Sequence, residues 1–162
     1  IRIFKERIPQ IRMKEKQKYW IIGAIVIMTL VIWGNSTVPR DQSAQMSGGF
    51  TAWLVDPFHW SRTEHMVRKA AHFCEYAVLG VLYGLFFWRQ GRGTSYTYPL
   101  RASWTQRLFN CAAAGLITAV IDESIQIFSG RGPLVSDILI DFCGFGTGFI
   151  VLQLIVHVFR RR

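Results

Sequence analysis

Cysteine is scarce in this sequence, and several familiar catalytic motifs are missing. Its three cysteines, Cys74, Cys111 and Cys143, are far apart and form no CxxC pair. This spacing excludes a disulfide framework and predicts that the cysteines are small apolar packing residues. The chain also has no HExxH run, no phosphate-cradling glycine loop and no internal repeat. No compact catalytic or metal-ligand motif is therefore present.

The sequence has instead four long apolar runs separated by polar, basic connections. These runs are Tyr19–Trp33, Met66–Trp88, Leu108–Phe128 and Ile138–Phe159. A helix needs ~20 residues to cross the hydrocarbon core, and residues 34–38 can extend the short first run. No small-residue cleavage site follows Trp33, which excludes a cleaved signal peptide. We therefore predict an all-α, polytopic membrane protein, a four-transmembrane-helix bundle that forms one domain over residues 19–159, with spans near residues 19–38, 66–88, 108–128 and 138–159.

Acidic residues are also few, at 10 against 19 lysines and arginines, which gives a formal net charge of +9. The basic residues are concentrated before the first run, in the connection 89–107 and at residues 160–162. The positive-inside rule then places these segments in the cytoplasm, so we predict an N-in/C-in orientation. The excess of basic residues thus reflects the orientation of the protein in the membrane. It also favours attraction to anionic lipids, and it does not indicate a nucleic-acid partner.

Two connecting segments have more specific interpretations. Residues 1–18 mix apolar and basic side chains and form either a solvated cytoplasmic tail or an interfacial amphipathic helix, which Pro9 is expected to interrupt. The outer loop 46–63 is rich in aromatic residues, which settle at the level of the lipid headgroups. We expect this loop to lie on the membrane surface rather than to cover a site.

The second apolar run contains ionisable side chains, which are expensive in lipid. At 100° per residue, the polar side chains from His65 to Tyr76 occupy one stripe about 120° wide, and the opposite face is apolar. In the third run Asp122 and Gln126 share a face, with Glu123 at its edge, and in the fourth run Asp137 and Asp141 share one. These faces are expected to contact protein rather than lipid. Gly80 with Gly84, and Gly144 with Gly148, have the small-xxx-small spacing that allows close helix packing.

The predicted topology places these polar residues at one depth. At 1.5 Å per residue, His72 and Asp122 lie ~9 Å, and Asp141 ~6 Å, from the outer ends of their helices. We therefore predict a single polar constellation in the outer half of the bilayer.

The motifs that carry this constellation resemble those of the VanZ-like family of bacterial membrane proteins. They are "KAAHFCEY", "DESIQIFSGR" and "DILIDFCGFGTG", together with "NSTVP" at residues 35–39. The resemblance covers roughly residues 19–159 and leaves the aromatic outer loop unmatched. It implies a multi-pass protein of the bacterial cytoplasmic membrane, from a family named for a member linked to resistance to teicoplanin, a lipid-tailed glycopeptide. It implies no particular reaction.

Three functions fit the constellation. The first is binding or modification of a cell-envelope lipid or lipid-tailed ligand. The candidate catalytic residues for such chemistry are His72, Glu75, Asp122 and Glu123. The candidate substrate-binding residues are Lys69, Tyr76, Gln126, Arg131, Asp137 and Asp141, of which Lys69 and Arg131 would clamp a phosphate. The alternatives are proton-linked transport or binding without bond chemistry, for which the protein would form homo-oligomers, and a structural ion-pair network.

A divalent cation is a further option at this site, held by His72 with Glu75, Asp122, Asp137 or Asp141. We expect a metal-free site in which some carboxylates hold protons, because the sequence contains no compact ligand spacing.

Overall fold

A computed structural model of the protein describes residues 2–39, 63–90, 104–130 and 134–160. The described residues form four helices: α1, Arg2–Thr37; α2, Thr63–Gln90; α3, Trp104–Phe128; and α4, Val135–Arg160. Each of them contains a stretch long and apolar enough to cross a membrane: Gln17–Thr37, Met66–Phe87, Leu108–Phe128 and Val135–Phe159. The predicted all-α, four-span class is confirmed. The N-in/C-in orientation stays a prediction.

Helix α1 begins at Arg2 and continues through Pro9, where an interruption was expected. A proline removes one backbone donor from the helix, and here that loss does not end it. The basic residues before the first span therefore belong to the same helix as the span itself. The predicted division between a basic segment and the membrane domain stays a prediction, as does the placement of the aromatic loop, whose residues 46–62 lie outside the described residues.

Only six residues, 129–134, separate helices α3 and α4 in the chain, and Glu123 of α3 accepts from the Leu134 N–H just before α4. Gly130 adopts a positive φ of 72° just after α3, a conformation that glycine adopts without steric penalty. Beyond the turn, the Asp137 N–H donates to the Leu134 carbonyl at 2.9 Å in the first turn of α4. An acidic residue at this position also interacts favourably with the helix dipole.

The closest helix contact is between α2 and α4, which run in the same direction because consecutive spans alternate. A Cβ atom on Gly144 would overlap the Phe73 carbonyl oxygen, and one on Gly148 would overlap that of Ala77. A Cβ on Gly80 would in turn overlap the Phe145 carbonyl. The predicted close packing at these glycines is confirmed, since two backbones meet with no room for a side chain between them.

Helix α1 completes the bundle by packing against α2 and α3. Its indole Trp33 Nε1 donates to the Thr118 carbonyl of α3 at 3.4 Å. The buried core between the helices comprises Ile32, Tyr76, Leu79, Ala119 and Phe145. Large apolar side chains on the outward faces are exposed, as expected for helices that contact lipid. Of the cysteines, Cys111 is buried and Cys74 and Cys143 are exposed, all three as free thiols.

Candidate functional site

The polar residues of the four helices meet at one end of the bundle. This end is formed by the last turns of α1 and α3 and the first turns of α2 and α4. The contacts that join the helices there are Asn35 with Glu75, His72 with Asp122, Lys69 with Asp137, and Glu123 with the Leu134 N–H. The structure therefore brings together residues that are up to about a hundred positions apart in the sequence.

The centre of this cluster is formed by His72 of α2, Asp122 of α3 and Asp141 of α4, which we call the central trio. One nitrogen or oxygen of each residue lies within 4.8 Å of those of the other two. The His72 Nδ1 is 3.7 Å from the Asp122 Oδ2. Asp122 is 0% exposed and Asp141 2% exposed, so two carboxylates lie side by side away from water. Such an arrangement requires a positive charge or a proton between them.

The carboxylates around the trio each have a partner of their own. Lys69 forms an ion pair with Asp137, and the Asn35 Nδ2 donates to the Glu75 Oε1 at 2.7 Å. Glu123 accepts from the Gln126 Nε2 at 3.0 Å and from the Leu134 N–H at 3.2 Å. The same Gln126 nitrogen lies 3.3 Å from the Asp122 Oδ2, so this amide connects the flanking pairs to the trio.

One edge of the cluster is partly exposed, and the remaining side chains are buried. The side chains of Lys69, His72, Glu75 and Asp137 retain between 19% and 25% of their exposure. Three buried atoms have no hydrogen-bond partner in the described part of the chain: the Tyr76 hydroxyl and the Asp141 Oδ2 in the cluster, and the Ser36 Oγ next to Asn35 in α1. Each such atom costs about 1–3 kcal/mol when it stays unsatisfied. The cluster therefore keeps hydrogen-bonding capacity that the surrounding protein does not use.

Nine of the ten site residues predicted from the sequence lie in this cluster. The tenth, Arg131, lies outside the described residues, as does the side chain of His65. One member of the cluster, Asn35, is absent from the predicted set. Its position in the last turn of the first span is the signal that could have identified it.

Four helices long and apolar enough to cross a membrane, with a cluster of ionisable side chains at one end, define a multi-pass membrane protein with a largely buried polar cluster. The sequence model of the VanZ/LLP1 family matches residues 20–156, which contain every member of the cluster. The chain therefore belongs to the VanZ/LLP1 family, and the resemblance seen in its motifs is confirmed. Comparison with curated proteins and comparison with solved structures gave no match.

Proposed function

We propose that this protein acts in the bacterial cytoplasmic membrane, where it binds the headgroup of a cell-envelope lipid or lipid-tailed amphiphile at the polar cluster. We further propose that this activity contributes to resistance to teicoplanin-type glycopeptides, which combine a polar body with a lipid tail.

The observation that carries this proposal is that two buried polar atoms of the cluster, the Tyr76 hydroxyl and the Asp141 Oδ2, have no hydrogen-bond partner among the described residues. A network that served stability alone would gain by pairing the Tyr76 hydroxyl and the Asp141 Oδ2, because each unsatisfied atom destabilises the fold. Their unused capacity suits a ligand that supplies the missing partners. Intramembrane ionisable residues also serve a function more often than a structural role.

The partly exposed edge suits a charged headgroup. Lys69, in the second turn of α2, is paired with Asp137, and an incoming phosphate or carboxylate would compete for its ammonium. Arg131, in the short connection between α3 and α4, is the predicted second cation. The apolar outward faces of the helices are compatible with a lipid tail that lies along the bundle while its headgroup enters the cluster.

The proposal is tested by expressing His72→Ala and Asp122→Asn variants in a teicoplanin-sensitive bacterial host. Both variants are expected to lose the increase in the inhibitory teicoplanin concentration that the wild-type chain confers, while they accumulate in the membrane at wild-type levels. Ser124→Ala is the matched control, because Ser124 is exposed and bonds only within its own helix in the described residues. A glycopeptide without a lipid tail serves as the control ligand.

Two results would contradict the proposal. Full resistance in both variants would exclude the cluster from the activity. Loss of both variants from the membrane, with normal accumulation of Ser124→Ala, would assign the cluster to folding.

A further inference from the structure

We propose that the central trio, His72, Asp122 and Asp141, binds one divalent metal ion of the class that accepts mixed nitrogen and oxygen ligands, represented by Zn²⁺. The expectation of a metal-free site came from the lack of a short ligand motif in the sequence. In the structure the three ligands come from three different helices, so no short motif is needed to bring them together.

The geometry of the trio is close to that of a three-ligand site. The ligand atoms of the three side chains all lie within 4.8 Å of one another, so a common centre exists that is no more than about 2.8 Å from each of them. Zinc binds nitrogen and oxygen at about 2.0–2.2 Å. Shifts of about 0.6 Å in each side chain, or less, would complete the coordination, which is within the reach of small rotations about the χ angles. Three protein ligands leave a fourth position for an oxygen of water or of a headgroup.

The trio supplies two carboxylates to a bound cation. Lys69 neutralises Asp137, whereas the uncharged amides of Asn35 and Gln126 hydrogen-bond to Glu75 and Glu123 without neutralising them. The two buried carboxylates of the trio carry a formal charge of −2 when ionised, and a bound divalent cation would neutralise it. Histidine favours Zn²⁺ over Mg²⁺ and Ca²⁺, which prefer ligand sets made of oxygen alone.

An independent observation points to a ligand at this position. Asp141 is 2% exposed, and its Oδ2 has no hydrogen-bond partner within the described ranges, although a carboxylate oxygen can accept two. The Tyr76 hydroxyl is equally buried and unpartnered, and Tyr76 lies one helical turn from His72 on the same face of α2. A metal would occupy the free carboxylate oxygen, and the tyrosine would donate to the oxygen in the fourth position.

The role of this metal rests on the proposed function, because a cation in the trio would contact the phosphate or carboxylate of a bound headgroup. Its test uses the metal alone, with no lipid and no glycopeptide. Metal binding and drug resistance can therefore fail separately.

The experiment compares carboxylate-to-amide variants inside and outside the polar cluster. The full chain is purified in detergent, stripped with a chelator, incubated with Zn²⁺ and passed through a gel-filtration column before elemental analysis. We expect wild-type protein to retain about one zinc per chain, the stoichiometry of a single three-ligand site. Asp141→Asn and His72→Ala are expected to bind zinc at least tenfold more weakly, whereas Glu15→Gln, which changes a carboxylate of α1 before the first span, binds it as wild type does. Helix content and monodispersity of each variant verify that it is folded.

Three outcomes would overturn the proposal. The first is folded wild-type protein that retains no zinc. The second is equal loss of zinc in Glu15→Gln and Asp141→Asn, which would indicate nonspecific binding to acidic side chains. The third is an infrared carboxylic-acid band that persists in zinc-treated wild-type protein and disappears in Asp141→Asn, which would show a proton shared between the two carboxylates in place of the metal.

Discussion

The hydroxyl of Tyr76 is the side-chain group that best distinguishes a ligand-binding role of the cluster from a purely structural role. The ring belongs to the apolar core between the helices, whereas its oxygen is buried and has no partner among the described residues. The buried ring therefore stabilises the fold, whereas the unpartnered oxygen destabilises it. Under the proposed function, a ligand that bonds to the hydroxyl explains why tyrosine and not phenylalanine occupies this position.

The Tyr76→Phe substitution is expected to separate stability from function. Removing an unsatisfied buried hydroxyl should leave thermal stability in detergent unchanged or raise it by about 1 kcal/mol, while teicoplanin resistance falls. Tyr83→Phe is the control, because Tyr83 packs edge-on against Phe145 farther along α2 and should keep its function when the hydroxyl is lost. A marked loss of stability in Tyr76→Phe would show that the hydroxyl has a structural bond.

At the same scale, the sequence identified most of the polar cluster but not how its members pair. Helical geometry was sufficient to place His72, Glu75 and Tyr76 on one face, because the angle between positions in a helix is fixed. It could not determine that Glu75 accepts from Asn35 of α1 while His72 lies beside Asp122 of α3. Those pairings depend on which helices are neighbours and on side-chain rotamers, and neither is encoded in a short motif.

At the scale of helices, the glycines of α4 differ in what surrounds them. A Cβ on Gly148 would overlap the backbone of Ala77 in α2, whereas a Cβ on Gly146 would meet nothing within 4 Å. The two positions are two residues apart on the same helix and therefore lie on different faces. They form a matched pair for measuring the contact between α2 and α4.

Gly148→Ala is expected to destabilise the protein by about 1–3 kcal/mol, because the added methyl group forces the two backbones apart. Gly146→Ala should be neutral or stabilise by up to about 1 kcal/mol, since alanine is the better helix former. Thermal unfolding of both variants in the same detergent measures the difference. Equal stability of the two would show that the helices separate at this position without cost.

The sequence predicted the four spans because each is a long apolar run, and it predicted the glycine contacts from their spacing. It did not predict that α1 continues back to Arg2 through a proline. Hydropathy describes the part of a helix that lies in lipid, and it carries no information about a basic extension that continues the same helix beyond the membrane.

At the scale of the whole molecule, the remaining prediction is the direction in which the bundle crosses the bilayer. The basic residues predict cytoplasmic termini and a cluster in the outer half of the membrane. Single cysteines introduced at positions 56 and 97 of a cysteine-free variant test this with a thiol reagent that does not cross membranes. Position 56 should be labelled in intact cells, and position 97 only after the cells are opened. The opposite pattern would place the cluster on the cytoplasmic side.

The pairing of α2 with α4 also has a consequence for how the protein is made. Because α3 lies between them in the chain, α2 enters the membrane before the helix that covers its glycine face has been synthesised. Until α4 arrives, Lys69 lacks the Asp137 carboxylate that neutralises it. A chain halted after α3 would leave this ammonium without its partner in lipid, where a charge is costly. The polar site therefore forms only once α4 has entered the membrane.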